Sequence, residues 1–147
     1  MSAVRQKTLA SPSTMTGTSL HTGEQVTLTM KPAPAGHGIR FRRVDLDDQP
    51  FIDAHVSKVQ TVERATTLAE GSVKVHTVEH VISALVGMGV DNALIEMDAN
   101  EPPIGDGSAK PFVECINQAG IKEQEEYRSV FEVREPIHMD NGKGSLI

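Results

Sequence analysis

The chain has 147 residues, of which 38% are hydrophobic and 3% aromatic, and its formal net charge at pH 7 is −6. These values suit one domain of ordinary size with an aliphatic core. The acidic balance argues against a protein that binds the phosphate backbone of nucleic acids. The chain has no apolar run near the roughly 20 residues of a membrane-spanning helix and no apolar block typical of a signal peptide. With Cys115 as the single cysteine, an intrachain disulfide is excluded, and we expect a soluble, cytoplasmic protein.

The first part of the chain predicts strands. Residues 4–9 are a short strand candidate, and apolar residues alternate with polar ones over 26–31 and 39–42, which is the period of a half-buried strand. Two further β segments, at 54–59 and 61–68, predict a small subsidiary sheet. The basic run formed by Arg40, Arg42 and Arg43 indicates a solvated strand face, and phosphate binding is the less favoured alternative.

An amphipathic helix follows these strands. Thr77 is the predicted N-cap, and Gly87 and Gly89 mark the end of the helix. Its apolar residues recur at helical spacing, and they are Val78, Val81, Ile82, Leu85 and Val86.

The last part of the chain predicts a strand, a second helix and a final strand. Cys115, on the second helix, is interpreted as a small buried apolar group. The order of elements predicts an α+β two-layer sandwich, in which two main helices cover one face of a mixed sheet and a small β insert lies at about 45–70. The predicted segments here are a strand at 93–97, a loop at 100–107, a helix at 109–119 capped by Ser108, a charged linker at 122–126 and a strand at 127–133.

Glu79 and His80 are the first candidates for chemistry, because they fall in the first turn of the helix and just off its apolar stripe. Zinc binds neutral imidazole readily, and a nearby carboxylate can deprotonate a water. The alternative is that both side chains are only solvated, since a Glu in the first turn also suits the helix dipole.

His76 extends this pair to the H-x-x-E-H pattern of inverted zincins, in which two His four residues apart share one helix face. A small zinc protease is therefore an alternative. It requires both His inside the helix, whereas an N-cap at Thr77 leaves His76 outside. No downstream Glu stands out as a third ligand.

Four further motifs stand in a fixed order: LHTG at 20–23, TVEH at 77–80, GVDN at 89–92 and PIGDGSA at 103–109. Together they resemble the UDP-3-O-acyl-N-acetylglucosamine deacetylases, the zinc amidases of lipid A biosynthesis. The likeness runs from about residue 7 to residue 135.

The resemblance implies an enzyme that removes the N-acetyl group of UDP-3-O-(hydroxyacyl)-N-acetylglucosamine and releases acetate. It also implies two similar α+β domains with a Zn²⁺ site between them. His80 matches the first zinc ligand, and Glu79 matches the general base. Leu20 and His21 match a loop beside the family's active site, and Thr66 and Thr67 match a strand near it.

Some positions depart from the family pattern. His76 is not a ligand in this reading, and Ala65 stands where some members have a Cys, which we expect to be neutral for the chemistry. The family's other two ligands are a His and an Asp four residues apart in the second domain, with a further catalytic His nearby. Here His138 and Asp140 are only two positions apart.

We therefore expect residues 1–135 to form the first domain and residues 136–147 to begin a truncated second domain. As an isolated piece, the chain is expected to be inactive and to bind zinc weakly. The missing second domain is its expected partner, and self-association could cover the face that carries Glu79 and His80. A non-catalytic binding domain is the remaining alternative.

Overall fold

A five-stranded mixed sheet is the centre of the fold in the computed structural model, which describes residues 4–146. Its strand order is β2-β3-β9-β4-β5, and every neighbouring pair is antiparallel except β4 and β9. The strands in chain order are β1 (Arg5–Leu9), β2 (Ser13–Thr18), β3 (Gln25–Pro32), β4 (Ile39–Arg43), β5 (Phe51–Asp53), β6 (Val59–Thr61), β7 (Thr67–Glu70), β8 (Val73–Val75), β9 (Ala93–Met97), β10 (Ile121–Tyr127), β11 (Met139–Asp140) and β12 (Ser145–Leu146), and the helices are α1 (Glu79–Gly87) and α2 (Lys110–Ala119).

One face of this sheet is apolar and carries both helices. Along β9, Ala93, Ile95 and Met97 are buried, whereas Leu94 and Glu96 are only partly buried. The inward residues of the sheet and of the helices form one hydrophobic cluster, as the side-chain period of two requires. The predicted α+β two-layer architecture is confirmed, and Cys115 is buried on α2 as predicted. No helix within residues 4–146 is long and apolar enough to cross a membrane.

The small β insert exists but lies later than expected. Strands β6, β7 and β8 form a three-stranded antiparallel sheet between residues 59 and 75. The predicted strand at 54–59 is wrong, because Val56–Lys58 is a 3₁₀ turn. The side chain of His55 accepts the backbone N–H of Ser57, and such local bonds compete with strand pairing.

The charged segment after α2 is a strand rather than a linker. Residues 122–126 lie in β10, which pairs with β1 in antiparallel register. The predicted strand at 127–133 is wrong, since no strand is assigned between β10 and β11 within the described chain, and Phe131 is 88% exposed. The threonine-rich strand β2 was not predicted either.

Both predicted helix caps are displaced. Val78, not Thr77, is the residue that precedes α1, and Thr77 adopts a left-handed backbone with φ +54°. Ala109 precedes α2, although the Ser108 hydroxyl still accepts the Lys110 N–H. Val86 is 63% exposed, so the apolar stripe of α1 is narrower than predicted.

The basic run on β4 is matched by carboxylates of the same fold. Arg40 pairs with Asp53, Arg42 faces Glu96, and Arg43 pairs with Asp45, whose pKa is lowered by the hydrogen bond from Arg43. The three Arg side chains are only partly exposed. These side chains are therefore engaged in internal ion pairs, which differs from the predicted solvated face and disfavours the phosphate-binding alternative.

The loop before α2 contains a glycine that cannot accept a side chain. Gly105 has φ +58°, and an added Cβ would lie 2.8 Å from Cγ of Pro111; Gly107 has φ +81° but open space around that position. We expect Gly107→Ala to lower the free energy of unfolding by about 1 kcal/mol through its backbone alone. Gly105→Ala should cost about 1–3 kcal/mol more because of the steric clash. Urea unfolding of both variants checks this, and equal stabilities would contradict it.

Candidate functional site

The two candidate residues Glu79 and His80 open helix α1, where both side chains are partly buried. Oε2 of Glu79 accepts the backbone N–H of Thr66 at 3.1 Å. The Val78 N–H in turn approaches the Thr66 carbonyl oxygen at 3.4 Å. These bonds tie the segment before β7 to the start of the helix, so one oxygen of the Glu79 carboxylate is held by the backbone.

A cleft of about 340 Å³, lined mostly by residues with a polar group, lies beside this helix start. Thr66, which binds Glu79, lies between two of its lining residues, Ala65 and Thr67. Glu79 and His80 do not line the cleft themselves, whereas His21 and Thr67 do. The lining residues are His21, Thr22, Thr61, Glu63, Ala65, Thr67, His76 and Glu101.

The predicted vicinity residues occupy different environments around this cleft. Leu20 is 56% exposed in the turn between β2 and β3, next to His21, whereas Thr67 is buried at the start of β7. The structure therefore brings His21, Thr66 and Thr67 to the cleft or its border, and leaves the Leu20 side chain in solvent.

Glu101 is a buried carboxylate among the residues that line the cleft, although sequence reasoning did not single it out. Its side chain is 0% exposed. Oε2 accepts the backbone N–H groups of His21 and Thr22 at 3.0 and 3.1 Å. Oε1 lies 2.7 Å from both His21 Nδ1 and Thr77 Oγ1. A buried carboxylate requires such partners, because its desolvation is otherwise costly.

These bonds determine the charge of Glu101. Burial alone would raise the pKa of its carboxyl group, but hydrogen bonds from Thr77, from His21 and from the backbone of Thr22 lower it to about 2. Glu101 is therefore ionised at neutral pH. An ionised carboxylate can only accept hydrogen bonds, so Nδ1 of His21 carries the hydrogen.

His76 lines the same cleft but does not share a helix face with His80. It follows β8, and its backbone N–H donates to the Asn100 carbonyl oxygen at 2.8 Å. Its Nδ1 lies 2.9 Å from Thr67 Oγ1. Burial lowers the pKa of His76, so the ring is neutral near pH 7. Because α1 begins at Glu79, the helical pairing that an H-x-x-E-H metal site needs is not formed.

The residues near the helix start offer few metal ligands. In the part of the chain that the structure describes, no three His, Cys, Asp or Glu side chains are grouped so that they could hold a metal ion. His80 is partly exposed, and only its carbonyl oxygen, not its ring, is engaged by the Ser83 hydroxyl. An imidazole of this kind is a suitable zinc ligand, but further donors would have to come from outside these residues.

Comparison with known proteins gives a consistent result. The family model described as "LpxC: UDP-3-O-acyl N-acetylglycosamine deacetylase" matches residues 6–147. The UDP-3-O-acyl-N-acetylglucosamine deacetylases of Methylococcus capsulatus and Teredinibacter turnerae are each 45% identical to this chain, over 95% of its residues and 46% of their own. The bifunctional enzyme LpxC/FabZ of Chlorobaculum tepidum is 44% identical over 97% of this chain and 31% of its own length. The chain thus spans about half or less of each of these relatives.

Proposed function

Since this chain belongs to the family of UDP-3-O-acyl-N-acetylglucosamine deacetylases, we propose that the full-length protein removes the N-acetyl group of a UDP-3-O-acyl-N-acetylglucosamine and releases acetate. This reaction belongs to lipid A biosynthesis, and we place it in the cytoplasm. The single observation that carries the proposal is the position of Glu79 and His80, side by side at the start of α1 and next to the cleft that His21 and Glu101 line.

Glu79 is the general base in this proposal. Its Oε2 is held by the Thr66 N–H, which leaves Oε1 to take a proton from the attacking water. The same carboxyl group then delivers that proton to the departing amine of the sugar. Helix α1 fixes the direction of the carboxylate, so little reorganisation is needed during the reaction.

His80 is the first ligand of a Zn²⁺ ion in this proposal. When bound, zinc polarises the amide carbonyl and lowers the pKa of the attacking water. Catalytic zinc sites use three protein ligands, so the other donors are proposed to come from the half of the full-length protein that is absent from this chain. The partial coverage of the relatives supports this view.

The proposal is tested by assaying acetate release from UDP-3-O-acyl-N-acetylglucosamine. We expect the full-length protein to release acetate and the isolated 147-residue chain to be inactive. We also expect the isolated chain to lose zinc on dialysis, because one protein ligand leaves most of the coordination to water. Tight one-to-one zinc uptake by the isolated chain, abolished in His80→Ala, would contradict this. A full-length protein with no acetate release would instead support a non-catalytic binding domain.

A zinc protease that uses His76 is disfavoured by the position of that residue before the helix. We expect His76→Gln in the full-length protein to keep its zinc and to keep its rate of acetate release within about threefold, a change of under 1 kcal/mol in the barrier. His80→Gln is the matched control and should lose the metal. Zinc loss in both variants, measured by metal analysis, would restore the protease hypothesis.

A further inference from the structure

We propose that Glu101 is a positioning residue of the active site, which holds His21 in the cleft and fixes the backbone turn at Thr77 that leads to Glu79. The proposal rests on the proposed deacetylase function. Glu101 contacts neither Glu79 nor His80 in the hydrogen bonds described above, so it would act through the segments that it joins.

Glu101 connects three parts of the chain that are distant in sequence. Its own loop follows β9, His21 and Thr22 lie in the turn between β2 and β3, and Thr77 lies two residues before the first residue of α1. Each carboxylate oxygen receives two donors, at distances between 2.7 and 3.1 Å. Such an arrangement is rigid, because every acceptor position has a partner and the carboxylate cannot rotate without losing bonds.

The bond to Thr77 supports an unusual backbone. Thr77 is β-branched, yet its φ is +54°, a conformation that costs of order 1–3 kcal/mol and persists only where the surroundings enforce it. Two neighbouring bonds enforce it here. The Thr77 hydroxyl donates to Glu101, and the His76 N–H donates to the Asn100 carbonyl oxygen. Because Glu79 is only two residues further on, relaxation of this turn would alter the direction of its carboxylate.

The bonds to His21 determine how its ring is presented. The ring is 45% exposed and lines the cleft. With Nδ1–H donating to the Glu101 carboxylate, Nε2 is the ring nitrogen left for a ligand in the cleft. A carboxylate that orients a histidine in this way fixes both its tautomer and its direction.

The test uses Glu101→Gln in the full-length protein, with Glu96→Gln as the matched control. Glu96 also faces basic partners, Lys31 and Arg42, but on the sheet face opposite the helices. We expect Glu101→Gln to lower kcat for acetate release by about 10- to 100-fold and to change KM by less than about threefold. Misplaced catalytic groups stabilise the transition state less well but leave the binding of the substrate nearly unchanged. The zinc content of both variants should equal that of the unmodified protein. The activity of Glu96→Gln should also equal that of the unmodified protein.

A merely structural role predicts a different result. In that case the thermal midpoint of Glu101→Gln would fall while kcat of the folded enzyme stayed unchanged, and the proposal would be overturned. Adding Glu101→Gln to Glu79→Gln should cost less than about threefold in kcat, since residues that act through one another are not additive. Fully additive losses would equally contradict a role through Glu79.

A second variant covers the case in which Glu101→Gln does not fold. Thr77→Val keeps the branched shape and removes only the hydroxyl donor, and we expect a loss in kcat of about 3- to 30-fold, smaller than for Glu101→Gln because only one of the four hydrogen bonds is removed. Unchanged kcat in Thr77→Val would then refute the positioning role. If the unmodified full-length protein releases no acetate, the proposed function fails; if it is active and Glu101→Gln matches Glu96→Gln, only the positioning role fails.

Discussion

Replacing Glu79 by Gln in the full-length protein is expected to lower kcat for acetate release by about 10²- to 10⁴-fold, the range that general acid–base catalysis contributes. Gln keeps the size of the side chain, and its amide oxygen can still accept the Thr66 N–H at the position where Oε2 now does so. It cannot take a proton from water. The loss should therefore lie in kcat, while KM and zinc content change little because His80 is unaltered.

Glu114→Gln is a suitable control for Glu79→Gln. Glu114 is exposed on α2 and faces Lys110 across one helical turn, and exposed pairs of this kind contribute little. Its loss should leave kcat unchanged. A decrease in kcat of less than about tenfold in Glu79→Gln would mean that another group takes the proton, and the assignment of Glu79 as general base would have to be abandoned.

The second large effect concerns the acid stability of the isolated chain. A carboxyl pKa of about 2 in the folded state, against an ordinary value of 4.5, means that the unfolded chain binds the proton more tightly. Glu101 therefore contributes stability that is fully present above about pH 4.5 and is lost as the pH falls through about 2. The difference corresponds to about 3 kcal/mol.

Urea unfolding between pH 5 and pH 2 measures this contribution. We expect the free energy of unfolding of the unmodified chain to fall by about 3 kcal/mol more over this range than that of Glu101→Gln, which has no carboxyl group to protonate. Glu96→Gln should keep the steep pH dependence of the unmodified chain. Parallel pH profiles for the unmodified chain and Glu101→Gln would show that the Glu101 carboxylate is not stabilised in the folded state.

The elements that could be predicted from the sequence are those with one buried face. Strand β9 alternates between buried and partly buried residues, and α2 carries its apolar residues at helical spacing. Strand β10 could not be found in this way, because it is almost entirely exposed and its sequence, IKEQEEY, is polar on both faces. Its pairing with β1 depends on backbone hydrogen bonds, which leave no pattern in the side chains.

The candidate site shows the same division. The motif at 77–80 directed attention to Glu79 and His80, and the turn at 20–23 to His21, because each is a short local pattern. Glu101 stood in a loop with no local partner, and its donors lie 24 and 79–80 residues away. A charged residue directly before two prolines was the only local signal. Long-range hydrogen bonds of this kind require the fold.

The pairing of β1 with β10 has a consequence for synthesis on the ribosome. Strand β1 leaves the exit tunnel before its antiparallel partner β10, which is translated more than a hundred residues later. Until then, the side of β1 that β10 will occupy is an open backbone edge, which another nascent chain could use as a template. Translation that stalls before residue 121 should therefore leave an aggregation-prone intermediate, and arrival of the polar β10 segment should close it.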